Sequence, residues 1–413
     1  MVAPVLCFGK QRTADQNAGA GETKKKEVSS MSHPMANFDE KEIFFDESYV
    51  AKLGLIVTES AQELGKKINK HLIRWATDAG MDYDSFIVES ECPRFSSGDG
   101  KGIIKSTVRG DDLFFLVDTG NYSCTYKMFG VQNHMSPDDH FQDLKRLIQA
   151  ASGKAHRITV IMPILYGSRQ HRRSYRESLD CAFALQELQN MGVSNVITFD
   201  AHDPRVQNAV PLMGFDNVIP SYQVLKTLLR SASDLQIDRD HFMVVSPDEG
   251  AMQRNMYYAS VLGVDLGMFY KRRDYSRIIN GRNPIVAHEY LGDSVEGKDI
   301  FIADDIISSG ESMLDIAYEL KKRKARRIFA YSTYAIFTNG VDAFDKAYRD
   351  GIISGVLGTN LTYRTDALRQ REWFYEVDVS KYIAYFIAAI NQEMSISKIL
   401  DPLEKIKDLL ARR

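Results

Sequence analysis

Cysteine is scarce: Cys7, Cys92, Cys124 and Cys181 are the four in 413 residues. No two form a C-x-x-C pair, and their scatter offers no disulfide framework. That usage suits a reducing compartment, with each thiol a small buried or incidental side chain. Long apolar runs are missing too. No stretch approaches the roughly 18 residues that a membrane-spanning helix needs. A surplus of positive charge is absent as well, since 52 Lys and Arg face 55 Asp and Glu for a formal net charge of -3. Bulk electrostatics therefore directs the chain neither to nucleic acid nor to a membrane surface, and any anion site has to be built locally. The charged, apolar and small-residue order of a secretory signal is not visible, so a cytoplasmic chain is expected. No internal repeat recurs at a fixed short period.

What is present suffices for a sizeable core: 44% of residues are hydrophobic, and the length suits two or three domains. Residues 1–45 read as a flexible extension, because the Gly, Ala and Lys between Thr13 and Lys26 follow neither a helical nor a strand period. Beyond them, short apolar segments alternate with helical patterns. Leu53–Val57, Leu113–Val117, Arg157–Ile164, Asn195–Phe199, Phe242–Val245, Ile300–Ala303 and Arg327–Thr333 read as strands. Residues 60–75, 178–191 and 381–391 read as helices. Short apolar strands separated by helices of about ten or more residues imply parallel sheets with covering helices. The strands are too many for one compact sheet, so the expected fold class is α/β in two domains.

The strongest chemical signal is IFIADDIISSGESM, Ile300 to Met313. An apolar strand runs into Asp304 and Asp305, and the small-residue turn Ser308-Ser309-Gly310-Glu311-Ser312 opens a helix. Backbone N–H groups of such a turn wrap a phosphate, and the helix macrodipole adds ~0.3–2 kcal/mol. The hydroxyls of Ser309 and Ser312 add donors without bulk, and the two carboxylates accept from sugar hydroxyls. An ordinary strand-to-helix turn with serine caps would use the same residue types. Elsewhere, the Phe95 ring offers a face for a purine or packs as a core aromatic. Arg169 brings a planar fork for phosphate oxygens and Gln170 an amide for adenine edges, unless both belong to a solvated basic loop. Asp248, after the apolar FMVV, suits a hard cation. Lys271-Arg272-Arg273 precedes a polar stretch with Asn280-Gly281 and Asn283-Pro284. That is lid composition, or a solvated charge run.

The segment from Asp304 to Ser312 resembles the 5-phosphoribosyl-1-diphosphate (PRPP) loop of type I phosphoribosyltransferases and of ribose-phosphate diphosphokinases, the PRPP synthetases. The remaining motifs occur in the synthetase order. Arg94-Phe95-Ser96-Ser97-Gly98-Asp99 resembles R-F-S-D-G-E, followed by V-R-G at Val108-Arg109-Gly110. Tyr166 to Arg173 resembles Y-A-R-Q-D-R-K, Asp200-Ala201-His202 resembles D-L-H, and Ser246-Pro247-Asp248 resembles S-P-D. Arg254 aligns with the first Arg of V-V-R-A-R, and Lys271-Arg272-Arg273 resembles the K-R-R that begins a mobile catalytic loop. The resemblance runs from about residue 52 to 401.

It implies two phosphoribosyltransferase-like domains, each a mostly parallel sheet covered by helices. The N-terminal one spans 46–218 and is completed by a C-terminal helix at about 379–402; the C-terminal one spans 219–378. The implied reaction moves the diphosphoryl group of ATP to O1 of ribose 5-phosphate, giving PRPP and AMP, with Mg²⁺ as cofactor. By resemblance, Phe95, Ser97, Asp99, Arg169, Gln170 and His202 bind ATP, and His202 and Asp248 take the metal. Asp304, Asp305, Ser308, Ser309, Gly310, Glu311 and Ser312 bind ribose 5-phosphate, and Lys271 and Arg273 are the catalytic cations. A homo-oligomer, dimeric or hexameric, is implied, with no nucleic acid or membrane partner. Departures exist. Ser97 and Asp99 stand where Asp and Glu are usual, and His171 replaces Asp. The phosphate loop is usually D-T-G-G-T, so Glu311 brings a carboxylate that weakens phosphate binding unless it points outward. Residues 121–139 are longer than the family's counterpart. The competing expectations are a catalytically silent regulatory subunit and a PRPP-consuming phosphoribosyltransferase.

Overall fold

The computed structural model describes residues 50–273 and 285–412, with the side chains of 271–288 outside that description. The expected extension over 1–45 lies outside the described residues. The chain begins with β1 (Leu53–Val57), a 3₁₀ turn at Glu59–Ala61, and α1 (Gln62–Asp78). Two short strands, β2 (Ser90–Glu91) and β3 (Ile103–Ile104), precede β4 (Asp112–Leu116). A hairpin of β5 (Thr125–Met128) and β6 (Val131–His134) leads into α2 (Pro137–Ala151). Then follow β7 (Arg157–Ile161), α3 (Asp180–Asn190), β8 (Asn195–Phe199) and β9 (Gly214–Val218). Strands β1-β4-β7-β8-β9 form a five-stranded sheet in that order, parallel throughout. LGLIV in β1 and DLFFL in β4 are buried along their whole length, as parallel strands covered on both faces must be.

The second half comprises α4 (Ser221–Ser231), β10 (Phe242–Ser246), α5 (Met252–Leu262), β11 (Asp265–Arg273) and β12 (Ile285–Leu291). It continues with β13 (Asp299–Ile307), α6 (Glu311–Lys322), β14 (Arg327–Ala335), α7 (Asp342–Arg349) and β15 (Gly355–Thr359). After α8 (Asp366–Arg369) and β16 (Phe374–Val377), the chain closes with α9 (Ser380–Asn391), α10 (Ser397–Leu400) and α11 (Leu403–Ala411). The sheet order is β12-β11-β10-β13-β14-β15-β16, with only β11 and β12 antiparallel among its pairs. From β10 the chain builds outward to β11 and β12, then returns to place β13 on the other side of β10. Such a reversal leaves a crevice beyond the carboxyl ends of the two central strands.

Each sheet has its own apolar core. Phe115, Leu144, Val160 and Leu188 belong to the first, and Val245, Ile302, Ile316 and Phe344 to the second. Burying each such side chain contributes ~1.5–3 kcal/mol. The two halves are tied by polar contacts. Arg364 donates to Glu63 and Glu376, each at 2.9 Å. Asp118, buried after β4, accepts from Thr362 Oγ1 at 3.0 Å and from the Tyr363 N–H at 2.8 Å. Helix α9 packs on α1 through Trp75 and Tyr385, whose rings are 4.7 Å apart. Asn391 Nδ2 donates to Ala51 O and to Asp112, each at 3.0 Å.

Several element bounds differ by a few residues from the sequence expectation, and one segment with no expected element is a hairpin. Strand β7 stops at Ile161 rather than Ile164, because Pro163 has no N–H to continue a ladder. Strand β13 runs on to Ile307, so Asp304 and Asp305 lie inside it; β14 keeps pairing, Asp304 with Ser332 and Ile307 with Ala335. The long segment 121–139 contains the β5–β6 hairpin, whose turn residues Phe129 and Gly130 both have positive φ, 50° and 78°. Two positive φ values match the right-handed twist of a two-residue hairpin, but Phe-Gly lacks the Asn-Gly signature that announces one. Among the described residues no helix is long and apolar enough to cross a membrane, and Cys92, Cys124 and Cys181 are free thiols.

Candidate active site

The carboxyl ends of β8, β10 and β13 supply the chemistry-bearing side chains. His202 follows β8 by three residues, and its Nδ1 lies 2.8 Å from Asp305 Oδ2 on β13. Asp304 is the preceding residue, and its Oδ1 accepts the Asp305 N–H at 2.8 Å. Asp248 lies two residues past β10, where its Oδ1 accepts the Ala251 N–H at 3.1 Å and helps open the turn into α5. A crevice here is bordered by Ser168, Arg169, Asp200, His202, Asp305 and Tyr334. It joins the two halves, since His202 and Arg169 come from the first sheet's loops and Asp305 from the second sheet.

The carboxylates of this crevice are driven apart in acidity. Burial acts to raise Asp305, but the bond to His202 and the charge of Arg254 outweigh it and hold the group down at about 2. Asp304 moves the other way, raised by burial and by the neighbouring Asp305 charge, with Arg254 opposing. His202 is raised by its bond to Asp305, against the effect of burial. Arg254, on α5, is the organising cation. Its Nη1 stands 3.6 Å from Asp304 Oδ1, and its other nitrogens bond Asp200 at 2.8–3.0 Å. The motif patterns give Asp200 no role and Arg254 only an alignment. A carboxylate at a strand end hints at function, but nothing local shows that its partner lies 54 residues on.

The turn after β13 is shorter than expected, because α6 already begins at Glu311 and leaves Ser308–Gly310 as the turn. Gly310 has φ 85°, and a Cβ there would meet Phe344 Cε2 at 2.3 Å. Only glycine meets both demands. The N-cap Gly310 contributes no side-chain cap to α6; the Glu311 N–H donates to Ser309 Oγ at 3.5 Å, a long bond at a helix start that suits an oxyanion. Glu311 is exposed and its Oε1 accepts from Asn339 Nδ2 at 3.4 Å. Its carboxylate therefore leans toward the loop between β14 and α7.

The remaining candidates are distributed. Phe95 is 55% exposed, so it is not a core aromatic. It sits on a tight turn in which its N–H donates to Asp99 O, and Ser97 Oγ to Asp99 Oδ2, each at 2.7 Å. Phe95, Ser97 and Asp99 do not border the crevice. Gln170 spends its Nε2 on Ser178 O at 2.9 Å and holds its own loop. Lys271 and Arg273 fall in β11; their side chains, and residues 274–284, lie outside the described residues. Among the described residues no group of three or more His, Cys, Asp and Glu is spaced to hold a metal ion.

Comparison with known proteins agrees with this architecture. Residues 53–192 match the N-terminal domain of ribose phosphate pyrophosphokinase, and residues 217–348 match the phosphoribosyl transferase domain. The chain is 30% identical over 314 residues to the ribose-phosphate pyrophosphokinase of Vibrio cholerae, covering 75% of this chain and 90% of that protein. Identity to the Pasteurella multocida protein of the same name is 28% over 349 residues, covering 83% and 97%. The crystal structure of phosphoribosylpyrophosphate synthetase from Mycobacterium smegmatis superposes with a TM-score of 0.65 at 20% identity, covering 83% of this chain and 99% of that one. With two matched domains and a relative at this identity and coverage, the chain belongs to the ribose-phosphate pyrophosphokinase family.

Proposed function

We propose that this chain transfers the β,γ-diphosphoryl group of ATP to O1 of ribose 5-phosphate. O1 attacks the β-phosphorus, the bond from that phosphorus to the α,β-bridging oxygen breaks, and AMP departs as the anomeric hydroxyl loses its proton. The observation that carries this is the contact of His202 with Asp305, which brings a strand end of the first half against the acidic pair of the second. Transfer of this kind needs alignment and charge neutralisation rather than covalent help. Asp304 and Asp305 accept from the ribose hydroxyls, and 308–312 hold the 5-phosphate. Phe95, Ser97, Asp99, Arg169 and Gln170 belong to the nucleotide side, and Lys271 and Arg273 neutralise charge on the attacked and departing oxygens.

The donor set fits Mg²⁺. With Nδ1 bonded to Asp305, His202 keeps Nε2 for a ligand, and Asp248 offers carboxylate oxygen. A hard cation that retains several waters needs only one or two protein ligands. Bound with the triphosphate, it would offset negative charge on the transferring group. The domain limits at about 218 and 379, a homo-oligomer, and a cytoplasmic setting belong to the same proposal. The purified chain with ATP, Mg²⁺ and ribose 5-phosphate should produce AMP and PRPP in equal amounts. Nucleotide binding without turnover would instead make it a silent regulatory subunit, and consumption of PRPP with a nucleobase would make it a phosphoribosyltransferase.

A further inference from the structure

We infer that Asp200 is a positioning residue for this reaction, acting through Arg254 on the acidic pair that holds the ribose. The inference rests on the diphosphokinase reading. Asp200 closes β8 and Arg254 belongs to α5, so the pair joins the two halves. Their side chains are 5% and 9% exposed. Arg254 Nε donates to Oδ1 and Oδ2 of Asp200 at 3.0 and 2.8 Å, and Nη2 to Oδ1 at 2.8 Å. That fork consumes one edge of the guanidinium and leaves Nη1 aimed toward Asp304, 3.6 Å away. Rotating Arg254 off Asp200 would take the cation from Asp304 as well.

Asp200 is also held from a third direction. Thr333 Oγ1 donates to its Oδ2 at 2.6 Å and shares a 2.8 Å bond with Tyr331 OH. Both belong to β14, the strand paired with the one that carries Asp304. The backbone of Asp200 lies in the left-handed region at φ 44°, where a non-glycine residue costs of order 1–3 kcal/mol. Its N–H donates to Val218 O at 2.9 Å, and the next N–H, of Ala201, to Asn217 Oδ1 at 2.8 Å. This turn brings His202 back onto Asp305. The backbone of Asp200 thus sits in the turn that delivers His202, while its carboxylate fixes the orientation of the cation beside Asp304.

A buried ion pair is weak evidence of stabilisation, because replacing both partners is often neutral. That separates positioning from scaffolding. The full chain would be compared as wild type, Asp200→Asn, Arg254→Gln and the double variant, reading thermal midpoint, kcat, and KM for each substrate. Each single variant should lower the midpoint and cut kcat/KM for ribose 5-phosphate by about tenfold or more. The double variant should regain the midpoint but not kcat/KM. Recovery of both together would show a structural pair only and overturn the inference. Should the single variants fail to fold, Arg254→Lys keeps the charge without the fork. It should raise KM for ribose 5-phosphate by about fivefold or more, and an unchanged KM overturns the inference. No turnover by the wild type would overturn the diphosphokinase reading and this inference with it, whereas normal wild-type turnover with unaffected variants overturns the inference alone.

Discussion

His202 and Asp305 are 103 residues apart in the chain, yet Nδ1 and Oδ2 meet at 2.8 Å. The carboxylate orients the ring and draws the Nδ1 proton to its own side, which leaves Nε2 as the outward-facing ligand atom. Asp305→Asn keeps the shape and removes the charge. Loss of such a supporting carboxylate costs ~10–100-fold in metal affinity or activity. The expected outcome is a fall of that size in kcat/KM, measured at saturating Mg²⁺ in the AMP-release assay. An unchanged value would detach this contact from the chemistry.

Gly310→Ala tests the phosphate turn. A Cβ would enter at 2.3 Å from the Phe344 ring, on a backbone with φ 85°. The strained conformation and the displaced aromatic should together lower stability by ~1–4 kcal/mol. Urea unfolding reads that loss, and a raised KM for ribose 5-phosphate should accompany it.

Asp118 sets a pH dependence of stability. Burial lifts its carboxyl to about 6, despite donors from Gly120, Thr362 and Tyr363. The folded state therefore holds this proton more tightly than the unfolded chain does. The stability it contributes is full below the ordinary carboxylate range and is lost as pH rises through about 6. Relative to Asp118→Asn, the wild type should lose ~1–3 kcal/mol between about pH 4 and 6. Parallel urea-unfolding curves for the two proteins across that range would refute the assignment.

Lys271→Ala separates catalysis from binding. A cation that acts on the transferring group is worth roughly 3–4 kcal/mol of transition-state stabilisation, by analogy with an oxyanion donor. Turnover should fall accordingly while the calorimetric Kd for ATP shifts by about threefold or less. Equal losses in turnover and binding would remove Lys271 from the reaction.

The legibility of the chain varied with how local each signal is. Leu53–Val57 and Asn195–Phe199 match β1 and β8 to the residue, because short β-rich, mostly apolar segments between helical patterns mark buried parallel strands. The last four residues of β13 were missed, since Asp304 and Asp305 interrupt that run and only the pairing with β14 extends it. The Gly310 turn was legible from small residues after a strand. The contact of Glu311 with Asn339 was not, because the two meet only across the fold.

The sequence by itself determined the alternation of strands and helices and the order of motifs, because burial pattern and turn chemistry act within a few residues. Only the tertiary structure decided which charges meet: Asp200 with Arg254, Thr333 with Asp200, and His202 with Asp305. Those partners are separated by 54, 133 and 103 positions. Packing of the end of β8 in the first half against α5, β13 and β14 of the second brings them together. A charge's choice of partner is made in space, and no local pattern in the chain encodes it.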